Sequence, residues 1–106
     1  MAVSVYRVVV RGEFADLTDD QREALLAEVD DHDILRTAFT EVGTFAYDRR
    51  LTWWNLRYEV RLGDDDVDRD AAAIGIARAT AQLEVWGLGS KHVRATATDM
   101  AEVWAG

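Results

Sequence analysis

The stretch Thr52-Trp53-Trp54-Asn55-Leu56-Arg57-Tyr58-Glu59-Val60-Arg61-Leu62 alternates without a break. Trp54, Leu56, Tyr58, Val60 and Leu62 fall on one side. Trp53, Asn55, Arg57, Glu59 and Arg61 fall on the other. A period of two in a run of aromatic and apolar residues predicts a strand with one buried face and one charged face. Ser4–Gly12 reads the same way. Tyr6, Val8 and Val10 share one side, and Val5, Arg7, Val9 and Arg11 the other, with Gly12 as its expected end. Gly43 opens a short strand, Thr44–Asp48, and Arg49-Arg50 lies at a turn, so this strand and the long one are expected to form an antiparallel hairpin. Lys91–Asp99 is the last strand, with Val93, Ala95 and Ala97 inward and His92, Arg94, Thr96 and Thr98 outward.

Two helices fall between these strands. Thr18 followed three residues later by Gln21 is a capping box, and Asp19 and Asp20 occupy the positive end of the helix dipole. Leu25, Leu26 and Val29 give that helix an apolar stripe as far as about Asp31. The second helix is Ala-rich. It is expected over 67–86, with Ile76, Ala79, Leu83 and Trp86 at helical spacing and Gly87 as its C-terminal cap. Residues 33–42 connect the first helix to the hairpin, with room for one helical turn through Ile34, Leu35 and Ala38. The tail, 100–106, is read as a short helix or an arm.

The order β-α-β-β-α-β predicts one α+β domain over residues 1–106. It is the ferredoxin-like split βαβ motif. Its four-stranded antiparallel sheet has strand order 4-1-3-2, two helices cover one face, and the other face is open. The chain resembles a small actinobacterial family of similar length, a domain of unknown function. The matching segments are Tyr6–Gly12 (YRVVVRG), Asp31–Phe39 (DHDILRTAF), Tyr47–Val60 around RYEV, and Ala97–Trp104 (ATDMAEVW). That resemblance implies the fold and assigns no functional residue.

Composition removes several functions. There are 20 Asp and Glu against 12 Lys and Arg, a net charge of -8. Such a surface does not displace counterions from nucleic acid, nor is it drawn to anionic lipid. The absence of cysteine excludes disulfides, thiolate nucleophiles and Cys-ligated metal, and fits a cytoplasmic location. Apolar runs are short and interrupted, so no membrane span is expected.

The charge is unevenly placed. Acids crowd the helix entries and loops, while the outward faces of neighbouring strands carry Arg7, Arg11, Arg57, Arg61, His92 and Arg94 against Glu59. Cross-strand neighbours sit about 5 Å apart, so like charges there are unfavourable unless something neutralises them. Arginine binds carboxylate and phosphate through a two-pronged fork. The candidate ligand site is therefore Arg7, Trp53, Asn55, Arg57 and Arg94, with Trp53 stacking on an aromatic part and Asn55 orienting it. His92 is the candidate base, since histidine is the side-chain type suited to general-base work near neutrality, and Glu59 the candidate orienting group. The alternative is a solvated face of extended arginines.

Three other patterns carry less. Asp30-Asp31-His32-Asp33 has metal-binding residue types, but consecutive residues at a helix end point apart. Asp64–Asp70 fails the EF-hand pattern, since a loop starting at Asp64 would need Gly and Glu where Arg69 and Gly75 stand. Gly87-Leu88-Gly89 follows a helix rather than a strand, which is the wrong context for a phosphate loop. No metal and no cofactor is expected.

Two functions from different classes fit. The first is a homodimeric binding or accessory module, holding a small anionic or aromatic ligand on its open sheet. The second is a cofactor-free enzyme of the dimeric α+β barrel type, an oxygenase or cyclase acting on an aromatic polyketide-like substrate. It rests on analogy of fold.

Overall fold

The computed structural model describes residues 3–32, 38–63 and 70–100. Its elements are β1 (Val3–Ala15), α1 (Asp19–Ala27), a 3-10 turn (Val29–His32), β2 (Thr44–Tyr47), β3 (Trp53–Gly63), α2 (Ala71–Trp86) and β4 (Gly89–Asp99). The four strands form one antiparallel sheet with neighbour order β2-β3-β1-β4. The order 4-1-3-2 names the same three neighbour pairs from the opposite edge.

The alternation in β3 is realised residue by residue. Trp54, Leu56, Tyr58, Val60 and Leu62 are buried on the helix-covered face. β1 contributes Val8 and Val10, both fully buried, between β3 and β4. α2 lies on them through Ala71, Gly75, Ala79 and Leu83, a four-residue spacing that makes one stripe along the helix. The small residues set how near it comes. A Cβ on Gly75 would stand 2.6 Å from Val8 Cγ1, closer than carbon atoms tolerate.

Local signals hold at the helix ends. Gln21 N–H donates to Thr18 Oγ1, and the Gln21 side chain accepts from Thr18 N–H, which closes the capping box. Asp70 caps α2 by accepting from Ala72 N–H at 2.9 Å. Gly87 ends α2 at φ 71, with Leu88 N–H donating to Leu83 O and Gly87 N–H to Glu84 O, the Schellman pattern.

Several boundaries and faces differ from the sequence reading. β1 does not end at Gly12 but runs on to Ala15. Gly12 faces Trp54 across the ladder, and a Cβ there would stand 2.5 Å from the indole. The glycine makes room for a ring instead of turning the chain. The first helix stops at Ala27, and the 3-10 turn carries Val29 into the core. α1 buries no residue fully, and Leu26, expected inside, is exposed. Trp86 is 42% exposed because it lies over the outer side of Phe45, ring centroids 4.8 Å apart, at the rim of the core. Ala97 on the sheet-edge strand β4 is also exposed. The turn proposed through Ile34 and Leu35, most of the acidic run 64–70 and the tail beyond Met100 lie outside the described residues. Among the described residues, no helix is long and apolar enough to cross a membrane.

Candidate functional site

The face of the sheet opposite α2 carries a cavity of about 550 Å³, lined by Val9, Arg11, Gly12, Glu13, Trp53, Trp54, Asn55, Arg57, His92 and Arg94. The strand ladder puts them together. Arg11 stands opposite Asn55 on β3 and opposite Arg94 on β4. Val9 stands opposite Arg57, and Glu13 opposite Trp53. Period two then aims these side chains outward from a single patch.

Asn55 is the least expected member. It lies on the outward face, yet it is only 5% exposed. Its Oδ1 has no hydrogen-bond partner among the described residues. A buried acceptor left unsatisfied costs about 1–3 kcal/mol, so a donor supplied by a bound molecule would recover that energy. Trp53 flanks it, half-buried.

His92 enters the site through a break in the ladder. The β1–β4 register shifts between Arg11 and Glu13, where Arg11 pairs with Arg94 but Glu13 with Lys91. The additional residue belongs to β4, and His92 takes it up at φ 56. This is a β-bulge with a non-glycine residue in the left-handed region, a conformation that costs on the order of 1 kcal/mol. The bulge brings His92 Nδ1 onto Glu13 Oε2 in a hydrogen bond. That bond holds the Glu13 carboxyl below its usual value of 4.5, helped by the positive charges of Lys91 and Arg94, and of His92 when its ring is protonated, against partial burial. An ionised carboxylate only accepts, so Nδ1 carries the proton and Nε2 is the basic atom of the neutral ring.

Of the candidates read from the sequence, His92, Trp53, Asn55, Arg57 and Arg94 line this one cavity. Glu59 and Arg7 do not. Glu59 accepts from Arg61 Nη2 at 3.2 Å, and Arg61 Nε reaches Glu41 at 3.1 Å, so the acid is engaged further along β3, outside the cavity lining. Arg7 lies over the Phe39 ring at 5.3 Å, and Arg57 over the same ring at 5.5 Å. Phe39 closes that end of the face, because the connector runs beside β3: Glu59 N–H donates to Thr40 O at 2.8 Å. Glu13 and Arg11 also belong to the lining, although the sequence reading did not place them in the ligand site. The alternation from Arg7 through Val9 and Arg11 pointed to Glu13, had the strand been carried past Gly12.

Of the Asp30–Asp33 cluster, Asp33 lies outside the described residues, and the side chains of Asp30 and His32 have other partners. Asp30 bonds Arg49, and His32 Nδ1–H donates to Phe45 O at 2.9 Å. No group of metal-ligating side chains is present among the described residues. His32 instead stacks on Tyr47, centroids 5.2 Å apart, at a second recess of about 410 Å³ between α1 and the end of α2. Tyr47 O–H donates to Leu25 O at 2.5 Å. Burial, with the charges of Glu28 and Asp31, pushes its phenol up to about 12.

The sequence matches the family described as "Family of unknown function (DUF6204)" over residues 1–106, and the chain belongs to that family. No curated protein and no solved structure matches.

Proposed function

We propose that this member of the DUF6204 family is a binding module for a small organic anion with a flat apolar part, held on the open face of a ferredoxin-like sheet. The anionic group lies between Arg11 and Arg94, with Arg57 beside it. A hydroxyl or N–H of the ligand donates to Asn55 Oδ1, and its ring rests on Trp53. One observation carries this reading: two arginines that face each other across the ladder share a cavity with a buried amide oxygen that has no partner among the described residues. An anion removes the like-charge repulsion and a donor satisfies the amide, so a single ligand relieves both. The net charge of -8 does not oppose this, since the acids lie mainly in helix entries and loops.

The reading includes a homodimer and a cytoplasmic location. Val5 and Val9 leave half-buried apolar surface beside the arginines, which a second copy would cover. The cysteine-free sequence suits a reducing compartment.

The test is calorimetric titration with 4-hydroxybenzoate, benzoate and phenol. The expected order is 4-hydroxybenzoate first, with benzoate losing the Asn55 bond and phenol losing the arginines. Arg94→Ala is expected to weaken 4-hydroxybenzoate at least tenfold. No binding by any of the three, or equal binding by phenol, overturns the reading.

A further inference from the structure

We propose that the site is also a proton-transfer site, in which His92 is the base and Glu13 its positioning residue; this rests on the binding reading above. Three observations converge on the pair. β4 carries a bulge at the register shift between Arg11 and Glu13, with the non-glycine residue His92 at φ 56. The bulge brings His92 Nδ1 onto Glu13 Oε2, and that bond fixes the tautomer in which Nε2 bears the lone pair. Both residues line the cavity that holds Arg11 and Arg94, whose guanidinium groups stabilise negative charge formed on a substrate. Bulges beside functional sites commonly re-aim one side chain, and this one re-aims the only imidazole on the sheet face. The reaction class is removal of an acidic C–H or O–H proton from a bound aromatic molecule, with the resulting oxyanion held by the arginines. It needs neither metal nor redox partner.

The probe is 5-nitrobenzisoxazole. His92 Nε2 takes the ring C–H proton, the C–H electron pair completes a nitrile, and the N–O bond breaks. The displaced oxygen leaves as 2-cyano-4-nitrophenolate, whose colour reports the rate. Binding of that phenolate is measured separately by calorimetry. The expected result is turnover above buffer that falls about 100-fold or more in His92→Ala, in the range usual for loss of a general base. Glu13→Gln is expected to lower kcat with KM nearly unchanged, because the imidazole stays but loses its fixed orientation. Glu41→Gln, outside the cavity lining, is expected to behave as wild type. If the phenolate binds but turnover equals buffer, or survives His92→Ala, the proton-transfer proposal is wrong while the binding reading stands. If the phenolate and the hydroxybenzoate series all fail to bind, both fall together. Circular dichroism of His92→Ala separates lost chemistry from lost fold, and His92→Gln, which keeps the polar contact, serves as the second variant.

Discussion

Arg11 and Arg94 stand directly opposite each other on β1 and β4, and both line the cavity on the uncovered face of the sheet. Opposed like charges on a ladder are unfavourable by a few tenths to about 1 kcal/mol. The opposed pair therefore carries a small instability that a bound anion would relieve. Arg11→Thr is expected to leave the ligand-free protein as stable as wild type or up to about 1 kcal/mol more so. It is also expected to reduce 4-hydroxybenzoate binding. Urea denaturation with and without ligand checks both halves. In wild type, ligand at 100 times its Kd adds about 2.7 kcal/mol, and the variant gains much less at the same concentration.

Asn55 makes the same argument for a neutral group. Asn55→Leu replaces an amide that is 5% exposed and short of a partner by an apolar side chain of similar size. Stability without ligand is expected to hold or to rise by about 1 kcal/mol. The preference for 4-hydroxybenzoate over benzoate is expected to vanish, because the hydroxyl loses its acceptor. A fall of 2 kcal/mol or more in denaturation (a magnitude usual for a broken buried hydrogen bond) would mean the amide is structural.

How much of this could be read from the chain differs by residue. The faces of Val8, Val10, Trp54, Leu56 and Tyr58 were legible because alternation and burial coincide on a strand covered on one side. Thr18 and Gln21 were legible because a cap is a local device. Glu13 was hidden by Gly12, which reads as a strand end but exists to admit the Trp54 ring. The pairing of Glu13 with His92 was hidden more deeply. It depends on a register shift between two strands far apart in sequence, and no single-strand pattern encodes that. Phe39 was unreadable for a related reason: its place over Arg7 and Arg57 follows from the connector's path along β3.

Close packing around the two small residues gives a stability test independent of function. Gly12→Ala places a methyl 2.5 Å from the rigid Trp54 ring, itself fully buried. Gly75→Ala does the same against Val8, where the gain in helix propensity of roughly 1 kcal/mol partly offsets the clash. Overpacking usually costs about 1–3 kcal/mol, so Gly12→Ala is expected to be the more damaging of the two. Thermal denaturation that ranks them the other way would show that Trp54 can move and α2 cannot.

The carboxyl of Glu13 sets the acid limb of stability. Its folded-state value lies below the ordinary 4.5, chiefly through the hydrogen bond from His92. A depressed carboxyl stabilises the fold above its unfolded value, and that contribution disappears as pH falls through the folded value. Wild type is thus expected to lose stability on acidification below about pH 4.5 faster than Glu13→Gln, which has no carboxyl to protonate. Urea midpoints of the two proteins at neutral pH and in acid measure this, and parallel acid limbs would show the bond to be absent in solution.

Tyr47 governs the alkaline limb with the opposite sign. Its phenol is raised from 10 to about 12, first by burial and then by the negative charges of Glu28 and Asp31. A raised acid favours the fold while the proton stays on. The contribution is full below pH 10 and is lost as pH climbs through about 12, since the unfolded chain ionises first. The same proton makes the bond to Leu25 O that ties α1 to β2, so ionisation also removes the donor. Stability is expected to fall steeply between pH 10 and 12, with absorbance at the phenolate band lagging that of a free tyrosine. Tyr47→Phe is expected to cost about 1 kcal/mol at neutral pH for the lost bond, and to flatten the alkaline slope. If the variant keeps the full slope, Tyr58, also raised by burial, becomes the group responsible, and Tyr58→Phe would then remove it.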